Sequence, residues 1–455
     1  MQALHAHARI KRSAVVTLLC LGAGLAILLY QQRYALSWLG VDHAAIRDWW
    51  QGEGLYAYRS PDHRVGTALS PVAALLLAPA ARLPLPVTGW LLALAGLAAL
   101  VLGLVALAGP VARRYGKPRG RTVLVAAALA LLTEPVRSTL GLGALDLLLF
   151  ALVTADVVAL RRSAWARSRA AWWPGPPASQ PVRSSASALR RGWADRSPVA
   201  VLRRGWATGT WAGVGIGIAT ALAVSPAIFL LYLMVSRQWR AALIALGTTA
   251  TLLTGAALIA PGTTAAWFGS VLPQIDRSGP PDAPANQSLA GVLDRLYDTA
   301  GTPVLIWLSF AVLLLAVGLI RARSAHADGD EIAAFTLVGL TAAAIGPVSR
   351  IHELIWILPA VLILVDAAAR QRFPARRPLR PRRVPGAGYA VAAALIYLLL
   401  VLDPIWTAGW NGYAFVLILL LNVLPWRPGV ASAIPVRRGP APARRTPAIP
   451  GPRGS

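Results

Sequence analysis

The chain has 455 residues and a formal charge of +26, yet only 14% of its residues are charged and 56% are hydrophobic. Long apolar runs recur along the whole length, which excludes an ordinary soluble globule. The arginines cluster between those runs and in the tail, as the positive-inside rule requires, which argues against nucleic acid as a partner.

Residues 1–13 are basic and precede the apolar run Ala14–Tyr30. That run is long, and Tyr30-Gln31-Gln32-Arg33-Tyr34 offers no small-residue cleavage site, so it reads as an uncleaved first span with a cytoplasmic N-terminus. The single cysteine, Cys20, lies inside it and excludes an intrachain disulfide. The run Val87–Gly109 ends at Arg113-Arg114, which places that end in the cytoplasm and residues 31–86 outside. Within that external segment, Ser70–Leu83 is apolar but too short to cross, and it reads as interfacial or re-entrant.

The short run Thr122–Thr133 returns outward, and Gly143–Leu160 goes back to Arg161-Arg162. Residues 161–207 are rich in Arg, Ser, Pro and Trp and repeat Arg-Arg-Gly-Trp-Ala at 190–194 and 203–207; they read as a disordered basic cytoplasmic loop against anionic lipid. The stretch Thr208–Val235 is interrupted at Ser225-Pro226 and is basic at both ends, which fits two short helices meeting at the far face. Ala241–Ala260 crosses outward to a second external loop, 261–302. Pro303–Ile320 crosses inward and Ile332–Gly346 outward, to a short external turn, Pro347–Glu353. Leu354–Ala369 and two further runs leave the tail, 426–455, in the cytoplasm. The expected fold is all-α and polytopic, with about twelve spans, some short or broken, in two membrane parts, 14–160 and 208–425.

On this topology the polar residues that charge bias does not explain fall mostly on the external face. They include Asp42, His43, Asp48, Glu134, Arg137, Asn286, Gln287, Ser349, Arg350, His352 and Glu353. Ionisable groups gathered on one face, in turns that interrupt apolar helices, point to a site there. The densest stretch follows the first span, from Val41-Asp42-His43 through Trp49-Trp50 to Gly52-Glu53-Gly54-Leu55-Tyr56.

These motifs resemble glycosyltransferase family 87, the polyprenol-phosphate-mannose-dependent α-(1→2)-mannosyltransferases of the GT-C class. Val41-Asp42 and Gly52-Glu53-Gly54-Leu55-Tyr56 match its first external segment, and Ser70-Pro71-Val72-Ala73 to Ala78-Pro79 matches the next helix in part. Gly143-Ala144-Leu145-Asp146-Leu147 resembles its Gly-Gln-x-Asn-Leu helix, with Ala144 for Gln and Asp146 for Asn. At the helix break Ala223 stands where the family has Lys. Asn286-Gln287-Ser288-Leu289 with Arg295 matches its Asn-Gln-Ser-Leu loop. Pro347-Val348-Ser349 to His352 resembles its Pro-x-Ser-Trp-x-His-His turn, with Arg350 for Trp and Glu353 for the second His.

The resemblance implies a GT-C-like membrane enzyme. Its donor is a polyprenyl-phosphate sugar, its acceptor a glycolipid or lipid-linked glycan, and its site lies on the outer face of the cell membrane. An inverting transfer needs one carboxylate as general base, a role that falls to Asp42; the competing reading is a helix cap. The leaving phosphate calls for Arg350, His352 or Arg137, aided by the helix that begins at Pro226; Arg350 reads equally as an interfacial anchor. Asn286 and Gln287 suit sugar hydroxyls, as does Asp48, and Trp49 and Tyr56 suit sugar faces or an interfacial aromatic belt. No ligand spacing suggests a transition metal and no cofactor is expected, although Asp42 and Asp48 together have the charge for one divalent cation. Three other readings stand beside this one: a pentosyl, for example arabinofuranosyl, donor in the same family; a transporter or flippase; and a degenerate family member.

Overall fold

A computed structural model describes residues 2–60, 65–172, 205, 207–274, 277, 279–297, 303–372, 386–403 and 409–427. Among them every regular element is a helix, and strand pairing is limited to two isolated bridges. Most of the expected loop 161–207 and nearly all of the expected tail 426–455 lie outside the described residues.

Helix α1, Gln2–Tyr34, leads into α2, Ser37–Trp50, through Ala35 and Leu36. Both have left-handed backbones, at φ 54 and φ 50, a conformation costing L-residues about 1–2 kcal/mol each. The corner is held where the Leu36 N–H donates to the Gly141 carbonyl at 3.1 Å. It lays α2 over the end of the bundle as an amphipathic helix, with Leu39, Asp42, His43, Ala45 and Ile46 buried and Arg47 and Trp50 exposed. The short helix α3, Pro71–Leu77, starts where Ser70 accepts the Ala73 N–H at 3.1 Å with Pro71 in the first turn.

Helix α4, Leu85–Arg114, is the longest apolar span and packs on α5, Arg119–Leu131, and α7, Asp146–Trp172. Between those two, α6, Glu134–Leu142, bends away from α5 by 72°. The interrupted stretch forms α8, Val214–Leu222, and α9, Ala227–Val235, as its Ser225-Pro226 break implies. Then come α10, Trp239–Ile259; α11, Pro261–Ala266; α12, Leu289–Tyr297; α13, Val304–Ala327; and α14, Glu331–Ile345. A 3-10 turn, Ile351–Trp356, runs into α15, Ile357–Arg372, and α16, Ala387–Val401, and α17, Gly412–Val423, complete the bundle.

Among the described residues four helical stretches are long and apolar enough to cross a membrane, or five if the bent pair α5–α6 is one span; α14, α16 and α17 are shorter apolar helices. Helix α14 is buried almost all round and forms the centre of the bundle, contacting α7, α9, α13, α15 and α17. At its middle Gly339 faces the Trp356 indole, where a Cβ would come within 2.2 Å of the ring. Trp356 in turn meets Phe229 and Phe150, with ring centroids 5.2 Å and 5.0 Å away.

The arginine-rich helix ends lie together at the far end of the bundle. There Asp366 takes Arg427 in a two-pronged pair at 2.9 Å and 2.6 Å and Arg370 at 3.3 Å, which ties the segment after α17 to α15. At the other end the described parts of the two polar segments, 31–86 and 261–302, meet each other, the end of α8 and the turn after α14, through Arg277 and Thr67, Ser70 and Ala221, and Asn286 and Ser349.

Candidate active site

Two cavities meet at that polar end. The smaller, about 210 Å³, is lined by Asp42 of α2, Ser70 before α3, Asp146 at the start of α7, Trp267, and His352 and Glu353 of the 3-10 turn. The larger, about 690 Å³, is walled by apolar groups including Phe150, Pro226, Leu231, Leu315 and Trp356. Asp146, Leu149, Ala223, Val224 and Glu353 line both, so a polar chamber opens into an apolar groove across two carboxyl groups and the α8–α9 break. Among the described residues no lysine or arginine lines either cavity.

Asp42 is buried because position 42 falls on the inward face of α2. Its Oδ1 accepts the Thr67 hydroxyl at 2.7 Å. Burial lifts its pKa to about 7, against the opposing effect of the Thr67 hydrogen bond. A carboxyl poised there can take a proton at neutral pH. The chamber wall that faces it, Ala68 to Ser70, is itself pinned: the Ser70 hydroxyl donates to the Ala221 carbonyl of α8 at 2.7 Å.

His352 is buried, with its Nε2 3.9 Å from Asp146 Oδ2 and 4.0 Å from Glu353 Oε1. These separations are too long for direct hydrogen bonds. The His352 ring meets Trp38 edge-on at 5.6 Å, and the Arg350 guanidinium lies 5.0 Å from the same indole. Arg350 therefore stands one residue layer behind the chamber, and burial lowers its pKa.

The other sequence candidates lie around this centre. Asn286 and Gln287 are fully buried and face backbone, outside both cavities. Asn286 Oδ1 accepts the Ser349 and Ser288 N–H groups at 3.0 Å and 3.2 Å, and its Nδ2 donates to the Pro281 and Pro347 carbonyls at 2.8 Å and 3.2 Å. The Gln287 N–H donates to the Ser349 carbonyl at 2.8 Å. This loop is a clamp on the turn that carries Arg350, His352 and Glu353. Tyr56 donates its hydroxyl to the Leu69 carbonyl at 2.9 Å and so supports the chamber wall from behind; burial pushes its pKa up. Trp49 packs against the same apolar cluster as Tyr56, and Asp48 is half-buried outside both cavities. Arg137 is paired with Glu134 at 2.8 Å and donates to the Val401 carbonyl at 3.0 Å, away from the chamber.

Asp42 and Asp48 lie six residues apart on α2, about 9 Å along its axis, too far to share one ion. Among the described residues no three His, Cys, Asp or Glu side chains form a ligand set for a metal.

Thr67, Trp38, Trp267 and Arg277 complete the surroundings, and sequence reasoning gave none of them a role. Arg277 is almost fully buried and reaches from the second polar segment to the first, donating to the Thr67 carbonyl at 2.6 Å and to the Tyr56 carbonyl. A lone arginine in a loop carries no sequence signal for this, since its partners lie more than 200 residues earlier.

The chain matches the family model of Glycosyltransferase family 87 over residues 70–175 and 196–347. It is 33% identical over 168 residues to a polyprenol-phosphate-mannose-dependent alpha-(1-2)-phosphatidylinositol mannoside mannosyltransferase of Mycobacterium tuberculosis, a match that spans 35% of this chain but 38% of that protein's length. It is 27% identical to the protein of the same description from Mycolicibacterium smegmatis, over 72% of this chain and 69% of that protein. To the phosphatidylinositol pentamannoside mannosyltransferase of M. smegmatis it is 23% identical, over 82% of this chain and 79% of that protein. No solved structure matches.

Proposed function

The chain belongs to glycosyltransferase family 87, and we propose that it transfers mannose from a polyprenyl-phosphate donor to a phosphatidylinositol-mannoside-type glycolipid, with inversion, at the extracytoplasmic end of the bundle. The observation that carries this reading is the continuity of the two cavities: a chamber holding Asp42 opens directly into an apolar groove. A lipid-linked sugar has the same two parts, a polar head and a hydrocarbon tail. The names of the three relatives support the donor and acceptor classes, and the arginine-rich helix ends at the far side support the orientation.

In this mechanism the isoprenoid chain lies in the apolar groove and the sugar enters the chamber. The acceptor hydroxyl gives its proton to the Asp42 carboxylate as its oxygen attacks the anomeric carbon. The bond from that carbon to the phosphate oxygen breaks through an oxocarbenium-like transition state, and polyprenyl phosphate leaves with the electron pair. Near-neutral proton affinity suits Asp42 to this work. The phosphate then sits at the junction, where His352 offers a hydrogen bond, the start of α9 offers its dipole, and Arg350 contributes positive charge from behind Trp38.

The test is transfer by the purified full-length protein from labelled polyprenyl-phosphate-mannose to phosphatidylinositol mannosides, with Asp42→Asn alongside. Transfer by the natural chain and its loss in Asp42→Asn supports the reading. Full activity of Asp42→Asn removes Asp42 as the base. Transfer only from an arabinosyl donor replaces the sugar assignment.

A further inference from the structure

Arg277 and Thr67 form a two-step support for Asp42. Thr67 is held at three points: its carbonyl accepts Arg277 Nε at 2.6 Å, its hydroxyl accepts the Leu69 N–H at 3.3 Å, and the same hydroxyl donates to Asp42 Oδ1 at 2.7 Å. Arg277 is 4% exposed and engages the first polar segment at three further points. Its backbone carbonyl accepts the Gly66 N–H at 3.0 Å, its Nη2 donates to the Tyr56 carbonyl, and its guanidinium lies 5.6 Å from the Tyr56 ring centroid. Gly66 fits this contact, since a Cβ there would come within 3.3 Å of Arg277 Nη2 and 3.2 Å of the Arg59 side chain. On its own segment Arg277 Nη1 donates to Gln274 Oε1 at 3.0 Å, which fixes the guanidinium's orientation.

The Thr67 backbone is therefore tied to Arg277, and its hydroxyl reaches Asp42 from that tethered position. A hydroxyl donated to a carboxylate stabilises the ionised form. The other titratable groups lining the chamber with Asp42 are Asp146, His352 and Glu353, and α2 itself carries His43, Arg47 and Asp48. Of these, His43 turns away, its Nε2 2.9 Å from the Leu83 carbonyl. Thr67 is the one side chain with a hydrogen bond to the Asp42 carboxylate among the described residues.

We infer that Arg277 is a positioning residue for the transfer reaction, setting the readiness of Asp42 to accept the acceptor's proton by fixing Thr67. The inference rests on the reading of Asp42 as base, and it makes the second polar segment part of the catalytic apparatus, although among the described residues only this contact and Trp267 bring that segment to the wall near Asp42.

The experiment is the pH profile of kcat/KM for the acceptor, measured on the full chain and on Thr67→Val, Thr67→Ser, Arg277→Gln, Arg277→Lys and Thr67→Val/Arg277→Gln. Thr67→Val is expected to move the midpoint of the rising limb up by about one pH unit, the size of one lost charge-assisted hydrogen bond. Thr67→Ser keeps the natural midpoint. Arg277→Gln moves it in the same direction by less, and Arg277→Lys recovers part of that shift. The double variant moves it no further than Thr67→Val alone, because the two act through one bond. Uniformly lower kcat/KM with unmoved midpoints in Thr67→Val and Arg277→Gln overturns the inference, as does a double variant whose shift is the sum of those two. Asp42→Asn separates the two levels: an active Asp42→Asn defeats the base reading itself, whereas an inactive Asp42→Asn with unmoved midpoints elsewhere defeats only the role of Arg277.

Discussion

The Ser70 hydroxyl donates to the Ala221 carbonyl at 2.7 Å, across 151 residues of chain. Ala221 lies in the last turn of α8, where carbonyls lack intrahelical partners because the helix ends at Leu222. Ser70 at the same time accepts the Ala73 N–H that opens α3. One side chain thus finishes one helix and starts another, and it fixes the width of the chamber between them.

Ser70→Ala is expected to destabilise the protein by about 2 kcal/mol, the sum of a lost helix cap and a buried carbonyl left without its donor. Thermal unfolding in detergent checks this. Because the wall moves, kcat is expected to fall with stability. An unchanged unfolding temperature would mean that water or a neighbouring group takes over the Ala221 carbonyl.

The pH dependence follows from Asp42. Its folded-state pKa is raised from the ordinary aspartate range to about 7. Between about pH 4 and 7 the folded chain holds a proton that the unfolded chain has released. Stability from this group is therefore fully present below about pH 4 and is lost as pH rises to 7. Activity runs the other way: kcat/KM is expected to rise about tenfold per pH unit below 7 and to level off above it. Asp42→Asn removes the proton release, so its unfolding temperature is expected to exceed that of the natural chain at pH 8 and to match it near pH 4.

The clamp around Asn286 makes a different prediction. Its carboxamide uses both its donor and its acceptor ends on backbone groups, and it holds Ser349 from 63 residues away. Asn286→Ala is expected to cost about 2–3 kcal/mol, because it leaves buried backbone groups unsatisfied. Asn286→Asp keeps the acceptor and loses the donor, and is expected to fall between the two. Activity is expected to decline in step with stability, with little change in donor KM. A large rise in acceptor KM at unchanged stability would show instead that this amide touches sugar.

Much of this arrangement is legible in the sequence, and the reasons for the rest are specific. Apolar runs give the helices, and Ser225-Pro226 announces the break that lines both cavities. Helix α6 has its own signal, a Glu134-Pro135 start just past the run Thr122–Thr133, but at nine residues it is too short and too polar for apolar runs to reveal it. Asn286 and Gln287 look like sugar ligands because a buried amide facing a backbone turn and one facing a hydroxyl have the same sequence. The meeting of Asp42 with Asp146 and Glu353 depends on the middle of α2, the start of α7 and the 3-10 turn converging, and no local pattern encodes that. Arg137 is drawn off by Glu134 three residues earlier, an i,i+3 pair that was visible in the sequence once the region is taken as helix.

The apolar groove gives the last prediction. Ala342, on α14, lines it opposite Pro226 and Leu231 and does not line the polar chamber. Replacing it with Trp puts an indole into a space of about 690 Å³ without touching Asp42. If the groove holds the isoprenoid tail, Ala342→Trp is expected to raise the KM for a long-chain polyprenyl-phosphate-mannose about tenfold or more, equivalent to about 1.4 kcal/mol of lost apolar contact. A donor shortened to two isoprene units reaches less of the groove and is expected to lose much less. The acceptor KM is expected to stay within about twofold, since the acceptor hydroxyl is handled in the chamber. Equal losses for long and short donors would move the tail out of this groove and leave the chamber as a site for the sugar alone.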